Sequence, residues 1–414
     1  MKVYKFGGAS VKDADSVRNV GRILQHEGYE NTLIVISAMG KMTNAFENII
    51  DSYYYQKPSL KDAIDFVYQY HATIIEDLFE DSKDVLFEVN CLFGSLGIFM
   101  GNNTSKDYDF IYDQIICFGE LLSTKIVSFY LNEIGVDNNW LDVRNYIKTD
   151  MYYRDAKVDF KLTQKNIQDI DRKSLNIAQG FIGGTDSNIT TSLGREGSDY
   201  TAAIFAYCMD ADSVTIWKDV EGVLNANPQY FEETSLLESI SYKEAIEMAF
   251  YGASVIHPKT LKPLENKLIP LHVRSFINLE KKGTIVRKGT DIVPKIPCFI
   301  LKKKQYLVSI SKTDFSFMVE ESIGEVFHLF HKHKVKVNLI QNSALSFSVC
   351  LEDSFENFEE LLSDLQLKYN VTYNENVSLF TIRHFTQNSI ETIEKENTVL
   401  LKQMSKKTLQ IIVK

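Results

Sequence analysis

The chain has 414 residues, 44% hydrophobic and 24% charged. This length predicts two or three domains whose cores need no disulfide staples. A formal net charge of −10 and a pI near 5.4 argue against nucleic acid as the main partner, because binding its backbone needs a basic face. A few local cations would still suffice to hold a triphosphate.

In chain order, Val3–Phe6 reads as a strand. No charged-then-apolar leader precedes it, and no window approaches about 18 uninterrupted apolar residues. Cys91, Cys117, Cys208, Cys298 and Cys350 are scattered, with no C-x-x-C pair, as expected of free thiols in a reducing compartment. These features predict a cytoplasmic protein that does not span a membrane. Helical spacing follows at Val17, Val20, Ile23 and Leu24. Leu33–Ile36 is a continuous apolar run, typical of a strand buried on both faces. Helices are predicted at Thr43–Tyr55, Leu60–Glu80, Val85–Met100 and Tyr108–Ile134, and strands at Trp140–Val143, Ile177–Phe181 and Ser213–Trp217. The alternation implies an α/β domain with a mostly parallel sheet.

Residues 286–304 are breaker-rich and polar, which places a boundary there. Beyond it, Tyr306–Ile310 and Phe315–Val319 read as strand, Ile323, Val326, Phe327 and Phe330 as a helical stripe, and Val335–Ile340 and the alternating Phe347, Val349 and Leu351 as strands. Phe355, Phe358, Leu362 and Leu365 form a second stripe, and Val377–Ile382 a further strand. The order β-α-β-β-α-β describes an α+β ferredoxin-like module. A helix over Ile390–Met404 and a strand at Leu409–Val413 are too little for a second full copy, unless strands are shared between copies.

Lys5-Phe6-Gly7-Gly8-Ala9-Ser10 lies between a strand and a helix. Its glycines let backbone N–H groups face an anion, the helix start adds partial positive charge, and Lys5 can neutralise a phosphoryl group. An ordinary tight turn is the competing reading. Ser37 to Asn44 follows the next strand, at the carboxyl end where open α/β sheets bind ligands; a solvated loop is the alternative. Glu120 falls on an apolar helix face with Ile116 and Val127. There a carboxylate needs a cation, either a substrate ammonium or an internal Arg144 or Arg195. Gly180 to Asp199 is Gly- and Thr-rich, supplying N–H and hydroxyl donors, with Arg195 as a bidentate fork for a carboxylate. Asp199 sits at a helix start, where capping is common. Asp219, after Trp217-Lys218, could accept from a ribose or simply serve a turn. His328, His331 and His333 lack the spacing of a metal pair, so they read as a solvated face and no metal site is expected. His257, before Pro258, reads as structural.

Together these segments resemble the aspartate kinases of the amino-acid-kinase superfamily. Lys5-Phe6-Gly7-Gly8-Ala9-Ser10-Val11 is similar to the family's K-F-G-G-T-S-V. Gly180-Phe181, then Leu193-Gly194-Arg195 and Gly197-Ser198-Asp199-Tyr200-Thr201-Ala202, match its G-F-x-G…L-G-R-G-G-S-D-Y-T-A signature. Trp217-x-Asp219-Val220-x-Gly222 and Gly252-Ala253 with His257-Pro258 fit in order and spacing. The resemblance implies a three-layer sandwich over 1–295 as the catalytic domain. It implies an ACT regulatory region over 300–414, with one full module and a shortened second. It further implies transfer of the ATP γ-phosphoryl to the aspartate side chain, with Mg²⁺ carried on the phosphates. Lys5, Asp199 and Arg195 would act at the reacting centre. Ser37, Thr43, Glu120 and Arg195 would hold aspartate, and Lys5, Gly7, Gly8, Ser10, Lys218 and Asp219 would line ATP.

Four positions depart from the family pattern: Gln229 and Ser254 replace cations that touch ATP, Leu224 replaces a common Tyr, and Lys218 a common Thr. Lys218 is the candidate replacement for a lost charge. Val337 to Ser343 is similar to the family's effector stretch. There Asn338, Gln341 and Ser343 would meet lysine or threonine, and pairing of such modules implies a homodimer. Kinases of other carboxylates or carbamate, and a non-catalytic amino-acid sensor, are the alternatives.

Overall fold

The computed structural model describes residues 1–414 except Ser254, Val255, Thr290 and Phe315. The chain forms two compact units. One comprises Met1–Val223, Leu236–Ile246 and Val255–Val293; the other comprises Leu224–Ser235, Glu247–Ser254 and Pro294–Lys414.

The first unit begins with β1 (Lys2–Phe6), a single 3₁₀ turn over Gly8–Val11, α1 (Ala14–Glu27) and β2 (Thr32–Ile36). Asp13 caps α1 by accepting from Ser16 N at 2.8 Å, and the stripe Val17, Val20, Ile23 and Leu24 is buried as its spacing predicts. Four helices follow: α2 (Met42–Tyr54), α3 (Leu60–Leu78), α4 (Lys83–Asn102) and α5 (Tyr108–Glu133). Next come β3 (Asn138–Leu141), the short helix α6 (Val143–Tyr146), α7 (Phe160–Ile167), β4 (Leu175–Gln179) and a hairpin of β5 (Ile182–Gly184) and β6 (Thr190–Ser192). The unit continues with α8 (Gly197–Met209), β7 (Ser213–Lys218) and β8 (Ser239–Ser241), and α9 (Tyr242–Tyr251) leads out of it. It ends with α10 (Pro258–Lys267), β9 (Leu271–Ser275) and β10 (Thr284–Arg287).

Among the described residues the main sheet has eight strands in the order β3-β4-β2-β1-β7-β9-β10-β8. Neighbours run parallel except β9 with β10. Successive residues of a strand face opposite sides, and every residue of β2 and β4 is buried. Both faces of the sheet are therefore covered. Helix α5 packs against β3 and β4, and α8 against β1, β2 and β7. This is the α/β class with a mostly parallel sheet that the alternation predicts.

By length and composition α4 and α5 could each cross a membrane, although neither is an uninterrupted apolar run; 83% of the apolar window of α5 is buried in the fold, against 17% for α4. Helix α4 packs on α5, with Glu88 reaching Lys125 at 3.0 Å.

The second unit holds β11 (Cys298–Lys312), α11 (Glu320–Lys332), β12 (Lys336–Asn342), β13 (Ser346–Glu352), α12 (Phe358–Gln366), β14 (Tyr369–Arg383), α13 (Gln387–Glu394), β15 (Val399–Met404) and β16 (Thr408–Val413). Its strands form one antiparallel sheet in the order β12-β13-β11-β14-β16-β15. The two long strands serve two halves. Residues 305–312 of β11 pair with 369–377 of β14, beside β13 and β12. Residues 298–302 pair with 379–383, beside β16 and β15. At the junction the register of β11 shifts, and Lys304 and Asn376 have φ of 55° and 56°.

Two sequence readings need correction here. The helix predicted over Ile390–Met404 is α13 followed by strand β15. Of the strand predicted at Phe315–Val319, Phe315 lies outside the described residues and 316–319 are irregular. In that stretch Phe317 and Val319 are exposed while Met318 is buried in the core with Val326 and Phe330, and Met318 N donates to Ala344 O at 3.0 Å. Ser254 also lies outside the described residues.

Candidate active site

The loops after β1, β2 and β4 leave the sheet at the carboxyl ends of adjacent parallel strands, and there they close on one another. Ser37 N donates to Phe6 O at 3.1 Å and Gly40 N to Gly8 O at 3.0 Å. A Cβ on Gly8 would sit 2.7 Å from the Gly40 carbonyl oxygen, so only glycine fits this approach. Ser123 Oγ, on α5, donates to Ser37 O at 2.7 Å and fixes the second loop from below. Gly180 likewise abuts Ser198, leaving no room for a side chain.

Between these loops opens a cavity of about 490 Å³, lined by Lys5, Ser37, Thr43, Tyr112, Glu120, Arg154, Phe181, the segment Gly194–Asp199, and Lys218. Lys5, Ser37, Thr43, Glu120, Arg195, Asp199 and Lys218, which the sequence singled out from positions far apart, thus share one cavity. Gly7, Gly8 and Ser10 adjoin it in the turn after β1, where Ser10 is buried. Asp219 does not line it: this residue is exposed just past β7, as a turn residue would be.

Asp199 is on the first turn of α8 but does not cap it. Its carboxylate meets Lys5 Nζ at 2.6 Å and Lys218 Nζ at 3.8 Å, with only 4% of its side chain exposed. Burial alone would raise this carboxyl, yet the two ammonium groups hold it below the usual carboxylate range. One negative charge therefore anchors two positive ones at the carboxyl ends of β1 and β7.

Glu120 behaves oppositely. It is buried, and burial pushes its carboxyl up to about 8 despite the Ala38 N–H and the Lys5 charge. Neither internal arginine pairs with it. Arg144 forms a fork with Asp142, at 2.8 Å through Nε and 2.6 Å through NH2, and Glu120 Oε2 has no hydrogen-bond partner. A buried carboxyl oxygen that lines a cavity and lacks a hydrogen-bond partner is a candidate site for a ligand ammonium.

Backbone strain gathers at the same place. Phe181 and Glu196 line the cavity with φ of 70° and 53°, a region costly for residues with side chains. The sequence reading placed both in its Gly-rich segment but did not foresee their strained backbone, and it missed Asp113. That residue lies two turns before Glu120 on α5 and is fully buried. Its carboxylate accepts from Ser192 N at 2.8 Å, Ser192 Oγ at 2.5 Å and Arg154 N at 3.1 Å. Burial nevertheless raises it to about 6. The argument that isolated Glu120, a carboxylate on an apolar face, applies equally to Asp113.

Outside the cavity, His257 caps α10 by accepting from Lys259 N at 3.2 Å, as a structural residue. His333 is not on a solvated face: it is buried, with Nε2 2.8 Å from Asp364. In the second unit Asn338 sits where the register of β12 shifts. Lys302 donates to it at 2.7 Å, and it donates to Gln305 at 2.7 Å and Glu352 at 3.1 Å. Gln341 and Ser343 are exposed near the end of β12, and Ser343 Oγ lies 2.8 Å from Ser346 Oγ.

A parallel sheet with glycine-lined loops, two lysines on one buried aspartate, and an arginine and a glutamate in the same cavity make up the candidate site. The sequence model of the amino acid kinase family matches residues 1–275, and the chain belongs to that family. It is 32% identical over 301 residues to the bifunctional aspartokinase/homoserine dehydrogenase of Daucus carota, covering 69% of this chain and 32% of that one. It is 29% identical over 355 residues to the lysine-sensitive aspartokinase 3 of Escherichia coli K12, covering 84% and 78%. The chain spans about a third of the length of the first curated relatives it matches. Aspartokinase III of E. coli, in complex with lysine and aspartate, superposes with a TM-score of 0.85 at 26% identity, over 100% of this chain and 96% of that one. The same enzyme in complex with aspartate and ADP gives 0.81 at 26% identity, with the same coverage.

Proposed function

We propose that the chain is an aspartate kinase, moving the γ-phosphoryl of ATP to the side-chain carboxylate of aspartate to give 4-phospho-aspartate, the first step toward lysine, threonine and methionine. The observation that carries this reading is the Lys5–Asp199 pair at 2.6 Å, facing the same cavity as Glu120 and Arg195. The relatives that bind aspartate, ADP and lysine support it.

The side-chain carboxylate of aspartate is already ionised at neutral pH, so no general base is required; positioning and charge neutralisation do the work. Lys5 meets the transferring phosphoryl, and Asp199 orients Lys5 and Lys218. Glu120 takes the aspartate ammonium, Arg195 its α-carboxylate, and Ser37 and Thr43 fill the hydrogen bonds between them. Gly7, Gly8 and Ser10 face the phosphates, with Asp219 near the outer part of the nucleotide. Among the described residues no three His, Cys, Asp or Glu side chains converge on a metal position, and Mg²⁺ is assigned to the ATP phosphates. The antiparallel unit is assigned a regulatory role, with Asn338, Gln341 and Ser343 toward a lysine or threonine effector. The exposed edge strands β12 and β15 suit pairing in a homodimer. A cytoplasmic enzyme with neither membrane nor nucleic-acid partner fits these roles.

Coupled ADP release with aspartate, glutamate and N-acetylglutamate tests the reading: turnover on aspartate well above the other two is expected, and none on any of the three would leave a sensor. Glu120 gives a second test. Its carboxyl holds a proton up to about pH 8, whereas binding an ammonium needs the charged form. The kcat/KM for aspartate should therefore rise with pH, by about tenfold per unit, and level off once Glu120 is ionised. Glu120→Gln should abolish this limb and lower the plateau by about 100-fold. An unaltered profile in the variant would remove Glu120 from the ammonium site.

A further inference from the structure

We infer that Arg154 is a second guanidinium for the α-carboxylate of the acceptor, and that Asp113 is the positioning residue that sets it beside Arg195. The inference rests on the kinase reading above and extends it to two residues that the sequence did not single out.

Arg154 lines the same cavity as Arg195 and Glu120. Its guanidinium lies 4.4 Å from the ring centre of Tyr112, another lining residue, whose hydroxyl is held by Glu47 at 2.9 Å. The cation is thus seated over an aromatic face that is itself pinned. Its charge partner is Asp109 at 3.2 Å, with the two side chains 47% and 55% exposed. A pair that exposed is weak, too weak to withhold the guanidinium from a ligand carboxylate, and most of its N–H donors remain for a ligand.

The backbone supplies the independent support. Arg154 has a φ of 66°, uncommon for a long side chain. It is held there by donating its N–H to Asp113 at 3.1 Å. The same carboxylate accepts both the N–H and the hydroxyl of Ser192, the last residue of β6. Three residues later the chain reaches Arg195. One buried acid therefore fixes the loop that presents one arginine and the strand that delivers the other. Lys259 adds a second tie, donating to Leu193 O at 3.1 Å and pairing with Asp155.

Charge matching assigns the ligand group. A dicarboxylic amino acid brings two carboxylates and one ammonium; the acceptor side offers two guanidiniums and one carboxylate. A guanidinium fork on the side-chain carboxylate would drain the electrons it must donate to phosphorus. Arg154 therefore joins Arg195 on the α-carboxylate and leaves the nucleophile facing Lys5.

The test compares wild type, Arg154→Gln, Arg154→Lys and Asp113→Asn in steady-state turnover. Arg154→Gln should raise KM for aspartate about tenfold or more, with kcat and KM for ATP within about twofold, and Arg154→Lys should recover part of the loss. Asp113→Asn should raise KM for aspartate at least as much, because it loosens both arginines. Adding Arg154→Gln to it should cost little more, since the two act through one contact. A KM for aspartate unchanged in Arg154→Gln overturns the inference, as does a parallel rise in both Michaelis constants. If the wild type uses another acceptor, the kinase reading fails separately, and the same split is measured with that acceptor. If it turns over none, calorimetric titration of aspartate replaces kinetics, and equal affinities for wild type and Arg154→Gln overturn the inference.

Discussion

Lys5→Ala is expected to lower kcat by about 10³-fold while moving both Michaelis constants far less, a barrier increase of about 4 kcal/mol. The magnitude follows from where the ammonium stands. It is 2.6 Å from a carboxylate of which 4% is exposed, at the carboxyl end of β1, in a site where charges are poorly screened. Charge that builds on the phosphoryl oxygens in the transition state is met there by a cation already in place. The ground state, with its charge spread over three phosphates, gains less from it. Removing Lys5 also leaves Asp199 with only Lys218, at 3.8 Å, so the variant needs a thermal melt alongside its kinetics. Asp199→Asn should lose a comparable factor, and the double variant should be little worse than either single one, because the pair works as one device. A Lys5→Ala enzyme within tenfold of wild type in kcat would take Lys5 out of the reacting centre.

Arg195→Ala should raise KM for aspartate by about 100-fold or more, close to 3 kcal/mol of lost charge-assisted hydrogen bonding, with KM for ATP nearly unchanged. Arg195→Lys should recover little. A point charge cannot reproduce the two parallel N–H bonds of a guanidinium fork, and the Gly194–Asp199 segment holds the backbone in one conformation through the positive φ of Gly194 and Glu196. Measuring both Michaelis constants decides the matter: a rise in the ATP constant alone would move Arg195 to the nucleotide.

Much of this site could be read before any coordinates. The glycine pair after β1, the Gly-rich run after β4 and the carboxylate at Glu120 each break a local rule: a glycine where propensity disfavours it, or a charge on an apolar face. Such breaks are where function shows in a sequence. Asp113 breaks the same rule and passed unnoticed because nothing nearby suggested a partner; its donors, Ser192 N and Arg154 N, come from 79 and 41 residues away. Arg154 carried no signal at all, since its left-handed backbone is imposed by that distant acid. In the second unit β15 was mistaken for the end of a helix for a different reason. It is an edge strand with almost every residue exposed, so neither face was selected for burial and no alternation marked it. The central strands were easy because burial on both faces left continuous apolar runs.

The fifteen-residue strands β11 and β14 have a consequence for how the antiparallel unit can change. Each carries a left-handed residue beside the register shift, Lys304 and Asn376, so the regular pairing is interrupted where these two ribs join the two halves. A tilt of one half against the other must bend both ribs at once, which makes it a concerted step rather than a loose hinge. For the same reason neither half is a cassette: cutting the chain after Arg383 would leave 378–383 without β16, and the surviving half would inherit a ragged, unpaired border.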